Sequence, residues 1–288
     1  MAPETVKSRM QAQHARLTRA ERLLVSVLLQ DYPVAGLGSI THLAKSAGVS
    51  TPTVIRMARK LGFDGFPAMQ AALRSEIAAQ IKAPLLKKEA WRANAAEEHT
   101  LNQFADAISA NLRNTLTRLD PAAFDAVVTL LADPQARLCL VGGRITRSIA
   151  DYMFNHLQII RPNVTLLSQS PNVWPQYLLD MDERSVLVLF DIRRYEAELQ
   201  KLAKLARGRH SKIVLFTDQW ESPIAIIADY TFNVQIEVPS SWDSTIAIMM
   251  IVEALISDVQ GHRWTESRDR LEELEAMFGT TRIFRDSP

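Results

Sequence analysis

The feature that most constrains this chain is a change in its hydrophobic pattern near residue 136. Beyond that point, short continuous apolar runs alternate with amphipathic stretches, and the runs are 137–141, 164–167, 185–190, 212–216 and 230–234. Strands that alternate with helices are joined by right-handed crossovers, which produce a parallel sheet with helices on both faces. This part of the chain is therefore predicted to be a doubly wound α/β domain.

The first 82 residues show a different pattern, with helical spacing and almost no strand signal. Ser39 can cap a short helix that ends at Gly48, and Ser50 or Thr51 can cap another helix that begins at once. Two short helices joined by a tight turn are typical of a helix-turn-helix, whose second helix enters the major groove of DNA. We therefore predict an all-α, DNA-binding head.

The charge of the chain is unevenly distributed, although its formal total is only +1. Residues 1–82 carry 11 Lys and Arg residues against 5 Asp and Glu residues, a net charge of +6. The remainder carries 22 against 27, a net charge of −5. A basic head on a mildly acidic body indicates that only the head meets a polyanion such as double-stranded DNA.

The second helix of the motif supplies the candidate DNA contacts. Its early residues are placed for base edges and its later ones for phosphates, and the candidates are Ser50, Thr51, Thr53, Arg56, Arg59 and Lys60. The alternative is that the basic residues only solvate an exposed helix face. One short helix makes few base contacts, so we expect a homodimer or homotetramer that reads a two-fold-symmetric operator.

Three loops of the predicted α/β domain follow strands at the edge where such sheets bind ligands. They span residues 142–146, 191–196 and 239–245. Their glycines, hydroxyls and arginines suit a phosphate or carboxylate. The candidate ligand-binding residues are Gly143, Arg144, Thr146, Asp191, Arg193, Arg194, Ser240 and Ser241.

Each of these loops also has a purely structural interpretation. The first can be a tight turn with Thr146 as a helix cap, and the third can owe its polarity to a cap at Asp243 or Ser244. In the second, Asp191 and Glu196 can neutralise the two arginines in a local ion-pair network.

No catalytic, metal-binding or cofactor-binding set emerges from the sequence. The histidines lack metal-ligand spacing, and Cys139 lies in an apolar run that is typical of a buried thiol. No apolar stretch is as long as a membrane span, and the N-terminus lacks the order of a signal peptide. We therefore expect a cytoplasmic protein that is not an enzyme and that needs no cofactor, metal or membrane.

The chain resembles the RpiR family of bacterial transcription regulators, which join a helix-turn-helix domain to a sugar isomerase (SIS) domain. The segments that carry the resemblance are 17–21, 48–50, 53–56 and 60–66 in the head and 142–150, 217–218, 222–223 and 228–229 in the body. The resemblance implies a helix-turn-helix domain over 1–82, a connector over 83–102 and an SIS-like domain over 103–288. It also implies a repressor or activator that senses phosphorylated sugars through hydroxyl-bearing loops, with Thr146 where a serine is common.

The second loop departs from the family pattern. The family's Ser-x-Ser-Gly stands here as Asp191-Ile192-Arg193-Arg194, and Glu196 replaces the usual threonine. A carboxylate repels phosphate whereas arginines attract it. We expect a small anionic, sugar-phosphate-like effector held by Arg193 or Arg194 with Arg144; a neutral ligand or an empty structural site is the alternative. A sugar-phosphate isomerase-type enzyme with an accessory helical head is the alternative for the whole chain.

Overall fold

The computed structural model describes residues 5–30, 32–81 and 99–282. The chain forms two compact units, residues 1–89 and 90–288. Most of the connector predicted at 83–102 lies outside the described residues. Within the described part, the last helix of the first unit continues to Ile81 and the first helix of the second unit begins at Thr100.

The first unit is all α. Its helices are α1 (Val6–Ala12), α2 (Arg19–Gln30), α3 (Ile40–Ser46), α4 (Thr51–Lys60) and α5 (Phe66–Ile81). Their apolar faces meet in one core, to which Met10, Leu24, Leu43, Met57 and Leu73 contribute one fully buried side chain from each helix. The core fixes α3 and α4 in the helix-turn-helix arrangement that the spacing predicts.

Local capping determines where these helices begin. The Glu21 carboxylate accepts from the Thr18 backbone N–H at 2.7 Å, and the Thr18 hydroxyl accepts from the Glu21 N–H at 3.4 Å, which completes a capping box. The Ser39 hydroxyl accepts from the His42 N–H at 3.1 Å and so caps α3. Gly48 has φ +63°, a conformation that glycine adopts without strain and that turns the chain between α3 and α4.

The second unit is a parallel α/β domain. Its helices are α6 (Thr100–Leu116), α7 (Pro121–Ala132), α8 (Arg147–Ile160), α9 (Trp174–Leu179), α10 (Ala197–Gly208), α11 (Ile246–His262) and α12 (Trp264–Thr281). Its strands are β1 (Arg137–Gly142), β2 (Val164–Leu166), β3 (Ser185–Phe190), β4 (Lys212–Asp218) and β5 (Tyr230–Val234). The strand order is β2-β1-β3-β4-β5, and every neighbouring pair is parallel.

Both faces of the central strands β3 and β4 are buried, as the continuous apolar runs predict. Every residue of β3 is buried. Leu187 and Leu189 pack in a cluster with Leu199 and Leu202 of α10, whereas Val186 and Val188 alternate with them and are buried on the opposite face. In the neighbouring strand β1, burial raises the pKa of the Cys139 thiol to about 11, so the thiol is protonated at neutral pH.

Some helices of the structure are absent from the sequence-based prediction. They are α1, α5, α9 and α12, and a 3₁₀ helix covers Pro223–Ile226. Of the eighteen residues of α12, only Ser267 is buried. Because α12 has no broad apolar stripe, hydrophobic periodicity does not predict it.

Candidate functional site

The helix α4 has a buried face and a basic exposed face. Val54, Met57 and Ala58 are fully buried in the core of the first unit. Arg56 and Arg59 are exposed on the other side of the helix. A recognition helix needs this division, because one face anchors it while the other is free to enter a groove of DNA.

Thr53 is not the exposed base contact that the sequence predicts. The residue is only 8% exposed, because its position on α4 turns it toward the core. Its hydroxyl lies 2.9 Å from that of Ser50 and accepts from the Arg56 guanidinium at 3.2 Å. Thr53 therefore orients Arg56, while Ser50 and Arg56 are themselves exposed and Thr51 is half-buried.

Lys60 is engaged within the first unit. Its ammonium donates to the carboxylate of Glu21 at 2.7 Å, and this carboxylate also completes the capping box of α2. Burial by itself would raise the pKa of the Glu21 carboxyl, but its hydrogen bonds with Lys60 and Thr18 bring the pKa below its ordinary value. Because the pair balances its charge locally, Lys60 has less charge to offer a phosphate than Arg59 has.

Arg9 is a residue of this region that the sequence analysis missed. Its guanidinium donates to the carbonyl oxygen of Leu61 at 3.1 Å and lies 4.7 Å from the ring centroid of Phe63. Leu61 follows the last turn of α4, so Arg9 satisfies a carbonyl at the end of that helix. No local motif predicts the contact, because the partners are 52 positions apart in the sequence.

The strand order places the switch point of the second unit between β1 and β3. In doubly wound sheets, ligands bind at this point, beyond the carboxyl ends of the strands. The loops 143–146 and 191–196 follow these two strands. They are joined by a hydrogen bond from the Gly143 N–H to the carbonyl oxygen of Phe190 at 3.2 Å.

Hydrogen bonds of the Thr146 side chain stabilise the first loop. Its buried hydroxyl donates to the carbonyl oxygen of Phe190 at 2.6 Å and accepts from the Gly143 N–H at 2.9 Å. The expected ligand contact at Thr146 therefore needs correction, because both hydrogen-bonding functions of the hydroxyl are used inside the protein. A Cβ atom on Gly142 would lie 2.5 Å from the backbone oxygen of Thr146, so this close approach needs glycine.

The carboxylate of Glu196 lies on the backbone of the first loop. Its Oε1 atom accepts from the Arg144 N–H at 2.6 Å, and a Cβ atom on Gly143 would lie 2.6 Å from the same oxygen. The sequence marks Glu196 as a departure from the family pattern and as a possible ion-pair partner of the two arginines, and it does not predict this contact. Arg144 itself extends an exposed side chain from the same loop.

Asp191, the first residue of the second loop, is buried. Its carboxylate accepts from the Ser222 hydroxyl at 2.5 Å and from the Glu196 N–H at 3.2 Å. Burial raises the pKa of Asp191 to about 6, even though these hydrogen bonds favour the ionised form. Asp191 therefore holds the loop together, and both of its oxygens are engaged.

Asp218, at the end of β4, is a second buried acceptor that the candidate set lacked. Its carboxylate accepts from the Arg193 N–H at 2.5 Å, the Tyr195 hydroxyl at 2.8 Å and the Trp220 N–H at 2.9 Å. Burial raises the pKa of Asp218 to about 6. Asp218 lies in one of the segments that carry the family resemblance. The sequence does not predict its hydrogen bonds with the loop after β3, because strand pairing brings these residues together.

Arg193 lies in an ion-pair network, but its partners are Glu237 and Asp243 and not the Asp191 and Glu196 of the structural alternative. Its side chain is only 5% exposed, and its guanidinium lies 4.2 Å from the ring centroid of Trp220. It donates to Glu237 at 3.2 Å, and its Nε atom lies 3.4 Å from a carboxylate oxygen of Asp243. Its Nη2 and Nε atoms therefore face carboxylates inside the protein, and Arg193 is not the exposed effector contact that the sequence predicts.

The next residue, Arg194, differs from Arg193 in its exposure and in its backbone conformation. Its side chain is exposed, and its backbone has φ +66°. This left-handed conformation is uncommon outside glycine, and it separates the directions of the two arginines. Of the paired guanidiniums, only that of Arg194 is thus presented to solvent.

An ion pair between Asp243 and Arg193 joins the third loop to the second. Ser240 closes a local turn, in which its hydroxyl accepts from the Trp242 N–H at 3.1 Å, and Ser241 is half-buried. The Ser244 hydroxyl accepts from the Ile246 N–H at 3.3 Å, which caps the start of α11. Among the described residues, no hydrogen bond joins Ser240 or Ser241 to the loops after β1 and β3.

The described residues contain no group of three His, Cys, Asp or Glu side chains that could hold a metal ion. No helix in the described ranges is long and apolar enough to cross a membrane.

Comparisons with known proteins agree with this architecture. Residues 5–80 match the model of the helix-turn-helix domain of the rpiR family, and residues 130–258 match the model of the SIS domain. The HTH-type transcriptional regulator HexR of Escherichia coli is 24% identical over 282 residues, with 96% of this chain and 94% of the relative covered. The HexR regulator of Pseudomonas aeruginosa is 26% identical over 287 residues, with coverage of 97% and 96%.

Two solved structures share the fold. The sugar isomerase domain of an RpiR transcription factor from Sphaerobacter thermophilus has a TM-score of 0.57 at 20% identity, with 61% of this chain and 97% of that chain covered. The NanR protein of Vibrio vulnificus, complexed with ManNAc-6P, has a TM-score of 0.55 at 15% identity, with coverage of 96% and 99%. The two matched domain models, the full-length relatives and the helix-turn-helix geometry together show that this chain belongs to the RpiR family and is a DNA-binding transcriptional regulator.

Proposed function

We propose that α4 enters the major groove of an operator and that Arg56 and Arg59 make its principal contacts, with Ser50 and Thr51 at its N-terminal end. The observation that carries this proposal is the exposed basic face of α4, which lies opposite a fully buried apolar face. The net charge of +6 over residues 1–82 adds attraction to phosphates. Since one short helix reads few base pairs, we propose a homodimer or homotetramer that acts on bacterial DNA in the cytoplasm.

Selection of bound sequences from random DNA with the full-length protein tests this proposal. We expect a two-fold-symmetric site and a loss of about 1–3 kcal/mol in binding to it for Arg56→Ala. Arg209→Ala removes an equal charge from an exposed position in the second unit and serves as the control. Absence of any enriched sequence, or equal losses for the two variants, would contradict the proposal.

We further propose that the second unit binds a small anionic effector, similar to a sugar phosphate, where the loops after β1 and β3 meet. The switch point of the sheet lies there, and the exposed guanidiniums of Arg144 and Arg194 project from those two loops. The NanR protein, which shares the fold, is complexed with ManNAc-6P. Effector binding would change the affinity for DNA only through different interaction free energies in two states of the protein.

A panel of sugar phosphates and the corresponding free sugars tests the effector class. We expect a phosphorylated sugar to raise the melting temperature and to change operator binding, and Arg144→Gln with Arg194→Gln to weaken both effects. Arg184→Gln is the control, because this exposed residue precedes β3 at the opposite end of the strand. Equal responses to phosphorylated and free sugars would contradict an anionic effector.

A sugar-phosphate isomerase activity is the second candidate function. The observation that favours it is the pair of buried carboxyls, Asp191 and Asp218, whose pKa values of about 6 lie in the range of general acids and bases. Both carboxyls are engaged by hydrogen bonds inside the protein, so we propose that the protein is not an enzyme. Turnover of aldose or ketose phosphates by the purified protein would decide for the enzyme.

A further inference from the structure

We propose that the carboxylate of Glu196 occupies the anion position of the effector site, so that an anionic effector binds by displacing it. This inference rests on the effector site proposed above and adds a means of regulating it. An internal carboxylate that must leave first lowers the affinity for every anion and favours those with more charge. Phosphate monoesters carry more negative charge than carboxylates at neutral pH, so the device selects for them.

The geometry of the first loop carries the inference. The Oε1 atom of Glu196 accepts from the Arg144 N–H at 2.6 Å, just before α8, where backbone N–H groups bind oxyanions. The same oxygen fills the space that a Cβ atom on Gly143 would take. The carboxylate therefore contacts the backbone of the first loop directly, as a bound anion would.

The position of Glu196 in the chain shows that this contact is not an ordinary helix cap. Glu196 is the N-cap residue of α10, yet its side chain makes no capping hydrogen bond with that helix. It reaches instead to a loop 52 residues away in the sequence. The side chain of Glu196 thus accepts a hydrogen bond from the first loop and does not cap α10.

A second observation concerns Arg193, on the loop after β3 that also carries Glu196. The Nη1 atom of Arg193 is buried and finds no hydrogen-bond acceptor among the residues that the structure describes. The side chain is 5% exposed, and its hydrogen bond to Glu237 is donated by Nη2. A buried donor without an acceptor is costly, so an oxyanion that reached this atom would gain a hydrogen bond.

Electrostatic repulsion makes the internal carboxylate replaceable. The N–H of Glu196 binds the carboxylate of Asp191, so two acidic groups share one short loop. Burial is the largest cause of the raised pKa of Asp191, the charge on Asp218 adds to it, and the charge on Glu196 makes a smaller contribution. Movement of the Glu196 side chain into solvent removes the repulsion and exposes the Arg144 N–H.

Calorimetric titration of the full-length protein tests the inference, with inorganic phosphate and glucose 6-phosphate as probes at constant ionic strength. We expect Glu196→Ala to bind inorganic phosphate about tenfold more tightly than the wild type, a change of about 1.4 kcal/mol. Glu196→Gln keeps the shape and removes the charge, so an intermediate gain is expected. Circular dichroism and the melting temperature check that both variants are folded.

The matched control is Glu198→Ala, which removes the same charge two residues further along. The carboxylate of Glu198 is exposed and pairs with Lys201 at 2.7 Å, so no gain in phosphate affinity is expected. Equal gains for the two alanine variants would show a general charge effect and overturn the inference. Unchanged or weaker phosphate binding by Glu196→Ala would overturn it as well.

The two probes separate this inference from the effector proposal. If the wild type binds glucose 6-phosphate and Glu196→Ala binds it no more tightly, the inference fails and the effector proposal stands. If Glu196→Ala gains affinity for inorganic phosphate while no sugar phosphate changes operator binding, the effector proposal fails and the inference stands.

Discussion

The Arg56 guanidinium donates a hydrogen bond to the buried hydroxyl of Thr53, one turn earlier on the recognition helix, at 3.2 Å. The hydroxyl of Ser50 contacts the same oxygen at 2.9 Å. The core of the first unit immobilises Thr53, so this hydrogen bond limits the directions that the exposed arginine can take. A guanidinium with a fixed direction makes base contacts at a lower entropic cost.

Thr53→Val tests this relationship, because valine keeps the shape of threonine and removes the acceptor. We expect operator affinity to fall by about 1 kcal/mol, the net worth of one hydrogen bond, with little change on random DNA. Thr53→Ser retains the hydroxyl and should bind as the wild type does. Fluorescence anisotropy on both duplexes is the measurement, and wild-type operator affinity for Thr53→Val would refute the positioning role.

Arg59 and Lys60 should differ in their salt dependence although both are exposed basic residues of α4. Each phosphate contact adds about one to the slope of log affinity against log salt concentration. We expect Arg59→Ala to reduce the slope by about one and Lys60→Met to reduce it much less, because Glu21 already balances the Lys60 charge. Titrations at several salt concentrations give both slopes, and a larger reduction for Lys60→Met would contradict the assignment.

Asp191 and Asp218 should make the second unit less stable as pH rises. Burial raises the pKa of each from an ordinary 3.8 to about 6, so the folded state binds their protons more tightly than the unfolded state does. Their contribution to stability is fully present below pH 3.8 and is lost as pH rises through 6. By linkage, the loss amounts to at most about 3 kcal/mol for each group.

Urea unfolding of the wild type and of Asp218→Asn between pH 4 and pH 7 measures this effect. The variant lacks one titrating carboxyl, so its unfolding free energy should fall less steeply with pH. Asp229→Asn is the opposite control, because the pKa of Asp229 lies below its ordinary value: burial opposes this, and the hydrogen bonds from Ile213, Arg207 and Lys212 outweigh it. Identical slopes for the wild type and Asp218→Asn would refute the prediction.

Gly143→Ala should destabilise the protein through Glu196. The added Cβ atom would lie 2.6 Å from the Oε1 atom of Glu196, so the carboxylate must move away and lose its hydrogen bond with Arg144. We expect a loss of about 1 kcal/mol in the free energy of unfolding, the net worth of that hydrogen bond, because the end of the Glu196 side chain can move aside. In the Glu196→Ala background the same substitution should cost much less, and a double-mutant cycle gives the coupling. Additive losses would mean that the two residues do not interact.

The elements of this protein differ in how far the sequence predicts them. β3 is predicted with its observed bounds, because its six consecutive apolar residues are buried on both faces of the sheet. The helices α3 and α4 are predicted because Ser39, Gly48 and Ser50 mark their ends within a few residues. In contrast, α12 shows almost no buried face and therefore no periodic signal.

The sequence by itself determined the order of a helix-turn-helix unit and a parallel α/β unit, because hydrophobic period, caps and glycine turns act over a few residues. Only the tertiary structure decided which candidate side chains are free. Thr146 meets Phe190 across 44 residues, Glu196 meets Arg144 across 52, and Arg193 meets Glu237 across 44. Strand pairing at the carboxyl edge of the sheet creates these contacts, and the spacing of residues along a chain does not encode which polar groups will be satisfied there.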